Sequence, residues 1–438
     1  MRVAILAAMD VGDPRAWSGT PYYAREGLAR QGAAIVDLAP MPAWPLRAME
    51  MRRQIERRLG IAQTLPGASL AYSRFCGRLA RARLARLPER PDVVLSPAGS
   101  PLVANLGTDL PVAYLSDATV RQMLGYYPEF TGLAPQSVRT AEALEAAAIR
   151  RAGLLVYPTR WAADSAVRDY GADPARVLVA PFGANIVDAE IDRGAGPPAD
   201  GVCRLLFVGA DWERKGGDIA LNVLRRLQAA GIRSQMTLVG ARPPGPVDLP
   251  GAEVVGFLDK NRPEHRARLH ALYREASFFV LPTRHECYGI VLCEAAAYGL
   301  PVLAARTGGV PEVIEAGVSG FVRPLDDDGA GYAARIAEIW ADPARYRAFR
   351  AASRAAFETR LNWTVWAGAV LAAMERLAAR PLGEADTGGI AAGVSARGPG
   401  RSRLSSGEQD QPRGSDPSRR GSKASLGAER HAVAADRP

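Results

Sequence analysis

The sequence predicts an α/β chain made of two parallel-sheet domains that face one another across a cleft. Three observations carry that reading. Short β-branched or apolar runs alternate with longer stretches of helical periodicity over the first 380 residues, the alternation that builds a parallel sheet covered by helices. A length of 438 residues suits two or three cores better than one. A break at 183–201, with Gly194, Gly196, Pro197 and Pro198 and little apolar periodicity, divides the run into halves.

Each half offers a matching set of elements. In the first domain, 1–182, the candidate strands are 3–9, 33–38, 92–96, 112–116, 154–158 and 177–182. In the second, 202–362, they are 204–208, 236–239, 253–257, 278–281, 301–304 and 320–322. Both halves are therefore expected to be Rossmann-like, with ligands received at the carboxyl ends of the strands. Residues 363–380 space Trp366, Val370, Leu371 and Met374 as one apolar face, which predicts a last helix packing back on the first domain. From 381 to 438 the composition turns to Gly, Ser, Ala, Arg, Asp and Pro with almost no large apolar residue, so this tail is expected to be disordered.

Composition narrows the function classes. With 48% hydrophobic and 23% charged residues, and no apolar run near the roughly 18 residues of a membrane span, the chain reads as soluble. The first apolar run is followed at once by Asp10, Gly12, Asp13 and Pro14, so it reads as a buried strand and not a signal peptide. Cys76, Cys203, Cys287 and Cys293 are spread without a C-x-x-C pair, which argues against a metal site or disulfide framework and for a reducing, cytoplasmic setting. The net charge of +9 is concentrated at 47–90, where eleven Arg face only Glu50, Glu56 and Glu89. Arg74, Arg78 and Arg81 share a helical face beside Tyr72, Phe75, Leu79 and Ala82, so the stretch suits a membrane surface or an anionic acceptor, or else is a solvated face in an Arg-rich chain. No nucleic-acid partner is expected, because the tail balances nine basic against seven acidic residues.

The chemistry concentrates between 281 and 322. A strand ends in Pro282-Thr283-Arg284-His285, and Glu286-Cys287-Tyr288-Gly289 leads into an apolar helix carrying Glu294. If that helix begins near Gly289, Glu294 is on a buried side, Glu286 stays on the turn, and the free N–H groups of Tyr288, Gly289, Ile290 and Val291 form an anion site at the positive end of the helix dipole. Downstream, Thr307-Gly308-Gly309 offers paired glycines whose N–H groups suit a phosphate pocket.

With these elements in order, the chain resembles the retaining glycosyltransferases of family 4, of GT-B fold, whose E-x7-E motif aligns with Glu286 and Glu294. The resemblance implies that Glu286 meets the transferred sugar and Glu294 the ribose hydroxyls of a nucleotide-sugar donor. It makes Lys215, in Val208-Gly209-Ala210-Asp211-Trp212-Glu213-Arg214-Lys215-Gly216, the pyrophosphate lysine, with Gly209 beneath the donor and Lys215-Gly216 opening a helix. The family's Arg after that glycine is replaced by Ala210, and Arg214 is the expected substitute. Trp17-Ser18-Gly19-Thr20 resembles the family's glycine loop through Gly19, at the turn where a dinucleotide G-x-G-x-x-G is missing. No histidine precedes His265, so Asp117 is the candidate group beside the acceptor, unless it caps the following helix, while His265 and His270 fall in a charged helix, 264–275, and are expected on the surface.

Asp326, Asp327 and Asp328 read as charge at a helix start, not as a metal site. The expected enzyme thus needs no cofactor or metal. It would move a sugar with retention from a UDP- or GDP-sugar to a glycan or lipid-linked acceptor in envelope synthesis, at the inner membrane face. Glu286, Arg214, Lys215 and Asp117 would stand at the reacting centre, and Gly19, Gly209, Cys287, Tyr288, Gly289, Ile290, Glu294, Thr307, Gly308 and Gly309 would hold the donor. A sugar-nucleotide epimerase and a donor-binding scaffold of the same fold stay open as alternatives.

Overall fold

All twelve expected strands form, and they assemble into two six-stranded parallel sheets. The computed structural model describes residues 1–186, 191, 196–197 and 199–379. The tail expected at 381–438 lies outside the described residues, as do 187–190, 192–195 and 198 within the expected linker.

The first sheet contains β1 (Arg2–Ile5), β2 (Ala34–Asp37), β3 (Val93–Pro97), β4 (Val112–Leu115), β5 (Leu154–Tyr157) and β6 (Val177–Val179), in the order β2-β1-β3-β4-β5-β6. The second contains β7 (Cys203–Gly209), β8 (Ser234–Gly240), β9 (Ala252–Gly256), β10 (Phe278–Leu281), β11 (Val302–Ala305) and β12 (Gly320–Arg323), ordered β12-β11-β10-β7-β8-β9. β3, β4, β5, β10 and β11 are buried at every position. That is why they read in the sequence as unbroken apolar runs, since helices cover a parallel sheet on both faces.

Strand order decides where ligands can lie. In the second sheet the order reverses between β7 and β10, and in the first between β1 and β3. At such a reversal the loops leaving the two strands diverge to opposite faces and open a crevice. The loops at the second reversal are the ones that carry Lys215 and Glu286, and the loop after β1 carries Trp17 and Ser18.

The crossing between the sheets is closely packed and hydrogen-bonded where it is described. Phe182 stacks on Trp363 at 5.6 Å and meets Trp17 and Tyr288 edge-on. Asn185 accepts from the Trp363 indole at 2.9 Å and donates to the Ser18 carbonyl at 2.5 Å. The helix Trp363–Ala378 lies against the helix Thr20–Arg30, close enough that a Cβ on Gly27 would sit 3.0 Å from the Trp363 carbonyl. Among the described residues no helix is long and apolar enough to cross a membrane.

Candidate functional site

A cavity of about 420 Å³ opens where the two strand reversals face each other. Glu286, Glu294, Lys215, Arg214, Asp117 and Gly209 all line it, together with Trp17 and Ser18 from the first sheet.

The helix Ile290–Ala297 supplies one wall. Gly289 caps it at φ 90°, without a side-chain hydrogen bond to its first turn. Tyr288, Gly289, Ile290 and Val291 line the cavity, so unsatisfied N–H groups and the positive dipole end meet there. Glu294, one turn in, is fully buried and held at both oxygens, by Lys260 Nζ at 2.5 Å and the Tyr273 hydroxyl at 2.9 Å.

Glu286 sits on the turn before this helix, 9% exposed, with Lys215 Nζ bonded to its Oε2 and Arg214 Nη1 3.9 Å away. Arg214 also donates to the His285 carbonyl at 3.0 Å and lies over the Tyr127 ring at 5.3 Å. Lys215 ends a one-turn helix, Trp212–Lys215, that Asp211 caps by accepting from the Arg214 N–H at 2.9 Å. The sequence suggested that Lys215 opens a helix. The structure corrects this, because left-handed Gly216 (φ 76°) separates it from the helix Gly217–Ala229, and a cation at a helix C-terminus is favoured without any anion nearby. The Lys215 stem runs over Gly209, where an added Cβ would meet Lys215 Cγ at 2.8 Å.

Asp117 follows β4 and is partly open to the cavity. Burial, and then the charge of Glu286, push its carboxyl up to about 7. It does not cap the next helix. Thr119 does, accepting from Gln122 N–H in a capping box, while Gln122 returns the bond to Thr119 N–H at 3.1 Å.

Some expected residues stand elsewhere. Thr307, Gly308 and Gly309 do not line the cavity but brace the Glu286 turn from behind. Gly309 N–H donates to the Cys287 carbonyl at 3.0 Å, and a Cβ on Gly308 would lie 2.0 Å from the Glu286 carbonyl. Their small size is spent on that close approach. Cys287 is turned away too, buried against Met123 with Sγ 3.5 Å from Sδ. Gly19 (φ 90°) packs under the loop, where a Cβ would meet the Pro14 carbonyl at 2.8 Å, and Trp17 and Ser18 take the cavity face. Trp17 (φ 43°) and Ser18 (φ 57°) also hold left-handed backbone, a strain of roughly 1–3 kcal/mol each that the Asn185 bond helps maintain. His265 and His270, expected on the surface, are half-buried and bonded: His265 accepts from Asp259 N–H at 3.1 Å and His270 meets the Tyr298 hydroxyl at 2.7 Å. The Asp cluster behaves as charge at a helix start: Asp327 accepts from the N–H groups of Gly329 and Gly331, and Asp328 from that of Ala330. Among the described residues no group of His, Cys, Asp and Glu is arranged to hold a metal ion.

The structure adds partners that sequence reasoning missed. From the first lobe, the Tyr126 hydroxyl accepts from Glu286 N–H at 2.9 Å and bonds Thr307 Oγ1 at 2.6 Å, while the Tyr127 hydroxyl accepts from Cys287 N–H at 3.2 Å. Glu312 reaches the other way and accepts from the Arg160 and Trp161 N–H groups at 2.7 and 2.8 Å. The one available signal was lysine's rarity: of three lysines in the chain, Lys215 and Lys260 pair with the two motif glutamates.

Two parallel sheets joined over such a cavity define a GT-B glycosyltransferase fold. Sucrose-phosphate synthase from Thermosynechococcus elongatus superposes with a TM-score of 0.60 at 18% identity, over 86% of this chain and 99% of that one. Anabaena Alr3699/HepE in complex with UDP-glucose gives a TM-score of 0.57 at 17% identity, over 86% of this chain and all of that one (100%). Residues 203–342 match the family model of Glycosyl transferases group 1, so the chain carries a group 1 glycosyltransferase domain in its second lobe. Similar curated proteins include the D-inositol 3-phosphate glycosyltransferase of Acidothermus cellulolyticus, 34% identical over 217 residues, 44% of this chain and 47% of that protein. The corresponding protein of Thermobifida fusca is 31% identical over 300 residues, 63% of this chain and 66% of that one. The chain spans about half the length of the first of these relatives.

Proposed function

We propose that the protein is a retaining glycosyltransferase that moves a sugar from a nucleotide diphosphosugar to the hydroxyl of a glycan or lipid-linked acceptor in cell-envelope synthesis. The observation that carries this reading is the meeting of two carboxylates, two cations and a helix N-terminus on one cavity at a strand reversal.

In this reading Lys215, Arg214 and the N–H groups of Gly289, Ile290 and Val291 hold the diphosphate. As the bond from the anomeric carbon to the β-phosphate oxygen breaks, negative charge grows on that oxygen, and fixed donors stabilise it most at that moment. The acceptor oxygen attacks from the same face, and its proton passes to the departing phosphate, which preserves the anomeric configuration. Glu286 orients the sugar hydroxyls and Glu294 the ribose. Charge-assisted hydrogen bonds of this kind are the stronger ones. Asp117 stands on the acceptor side. A cavity walled by both lobes limits water and so protects the donor from hydrolysis.

The UDP-glucose complex of a structural neighbour puts UDP-sugars, followed by GDP-sugars, at the head of a donor panel. Purified protein is incubated with each donor and candidate acceptors, and products are resolved by chromatography and NMR. Nucleotide release that depends on acceptor, with the donor's anomeric configuration in the product, supports transfer with retention. A new sugar nucleotide would point to an epimerase, and saturable binding without turnover to a scaffold.

A further inference from the structure

The helix Trp44–Arg58 turns an apolar stripe outward. Trp44 (67% exposed), Met51 (65%), Ile55 (54%) and Leu59 (67%) follow at spacings of seven, four and four, and Ile61 (53%) comes just after. At about 100° per residue Trp44, Met51, Ile55 and the C-capping Leu59 fall on one face, bordered by Arg47 and Arg58 on one side and Arg52 on the other, and Ile61 lies just past the helix end. The inner face is already satisfied. Leu46 and Met49 pack on the first core, Arg53 donates to the Glu129 carbonyl at 2.6 Å, and Glu56 accepts from Thr64 N–H at 2.5 Å. Scattered exposed apolar residues need no explanation, but five in one short segment do.

We propose that this stripe docks the protein on an anionic lipid surface, an inference independent of the sugar-transfer reading. Charge picks the occupant. Residues 47–90 carry a net charge of +8 of the chain's +9, and among the described residues Arg47, Arg57, Arg58, Arg74 and Arg78 have no acidic partner. A second copy would set +8 against +8, which disfavours self-association. An apolar face rimmed by arginines, with a tryptophan at one end, matches a helix lying in the headgroup plane. The docked helix also communicates with the cavity: the Glu129 carbonyl that holds Arg53 is two residues from Tyr127, whose hydroxyl bonds the backbone beside Glu286.

The test is co-sedimentation of the full chain with vesicles of phosphatidylglycerol and phosphatidylcholine in equal parts, against vesicles of phosphatidylcholine alone. Wild type sediments with the anionic vesicles and is released by added salt. Met51→Ser with Ile55→Ser partitions at least about tenfold less, whereas Val318→Ser, exposed on a distant turn, partitions as wild type does. Circular dichroism melts show whether each variant keeps its fold. The proposal is overturned if wild type ignores anionic vesicles, if a folded stripe variant binds them equally, or if light scattering shows a wild-type dimer that the stripe variant dissolves.

Discussion

Lys215 and Glu286 hold each other in the cavity wall, both 9% exposed. Removing one member of such a pair leaves the other charge buried and alone, at a cost of about 3 kcal/mol, while removing both charges costs far less. Lys215→Ala should therefore lower denaturant stability by that order, and adding Glu286→Gln should restore most of it without restoring nucleotide binding. Equal destabilisation of the single and double variants would show that the pair is not coupled. Asp117 has a signed pH dependence. Its folded pKa is raised from 3.8 to about 7, so the folded state keeps a proton the unfolded chain has lost, and stability falls as pH climbs through that window and levels off above it. Asp117→Asn should flatten this decline in melts taken across the same range. If the carboxylate serves the acceptor, the wild-type rate rises to a plateau above about pH 7 and the variant's profile is flat there. The two glutamates were legible in the sequence because spacing, the flanking glycine and an apolar helix all pointed the same way. Lys260 was not, because its pairing with Glu294 spans 34 residues and depends on where a loop after β9 folds.

At the scale of elements, the turn that carries Glu286 is built from close backbone approaches, and glycine substitutions separate two kinds of constraint. Gly308 has φ 50° and faces the Glu286 carbonyl, so Gly308→Ala should cost about 3 kcal/mol or more and abolish turnover. The atoms nearest a Cβ on Gly209 belong to the Lys215 side chain and not to backbone, so Gly209→Ala should cost about 1–3 kcal/mol, less than Gly308→Ala, yet weaken donor binding by displacing the lysine. Paired measurements of melting and nucleotide affinity distinguish them. The glycines at 308 and 309 were visible in the sequence as places needing close approach, but what approaches them was not. A backbone carbonyl and a phosphate make the same demand on a missing Cβ. Strand positions were legible for a simpler reason: strands buried on both faces are continuous apolar runs, bounded by residues that must turn.

Across the whole molecule, Tyr126 and Tyr127 span from the first lobe to the backbone at 286 and 287, and Glu312 spans back to the helix Arg160–Tyr170. The lobes thus set the position of the Glu286 turn jointly. Tyr126→Phe with Tyr127→Phe removes the bonds to two backbone N–H groups, at about 1–3 kcal/mol in sum. It should lower kcat more than it raises the donor KM, since the turn loses its position while the diphosphate contacts survive. An unchanged kcat would assign the tyrosines to stability alone. None of this was legible beforehand, because contacts between residues 160 positions apart leave no periodic trace in either segment.

The most direct test of the account is calorimetric titration of UDP- and GDP-sugars into wild type and Lys215→Ala. One saturable site for a nucleotide sugar is expected in wild type, weakened at least about tenfold in the variant by loss of a charge-assisted contact to the diphosphate. A wild-type protein that takes up none of these donors, or a folded variant that binds them with undiminished affinity, would contradict it.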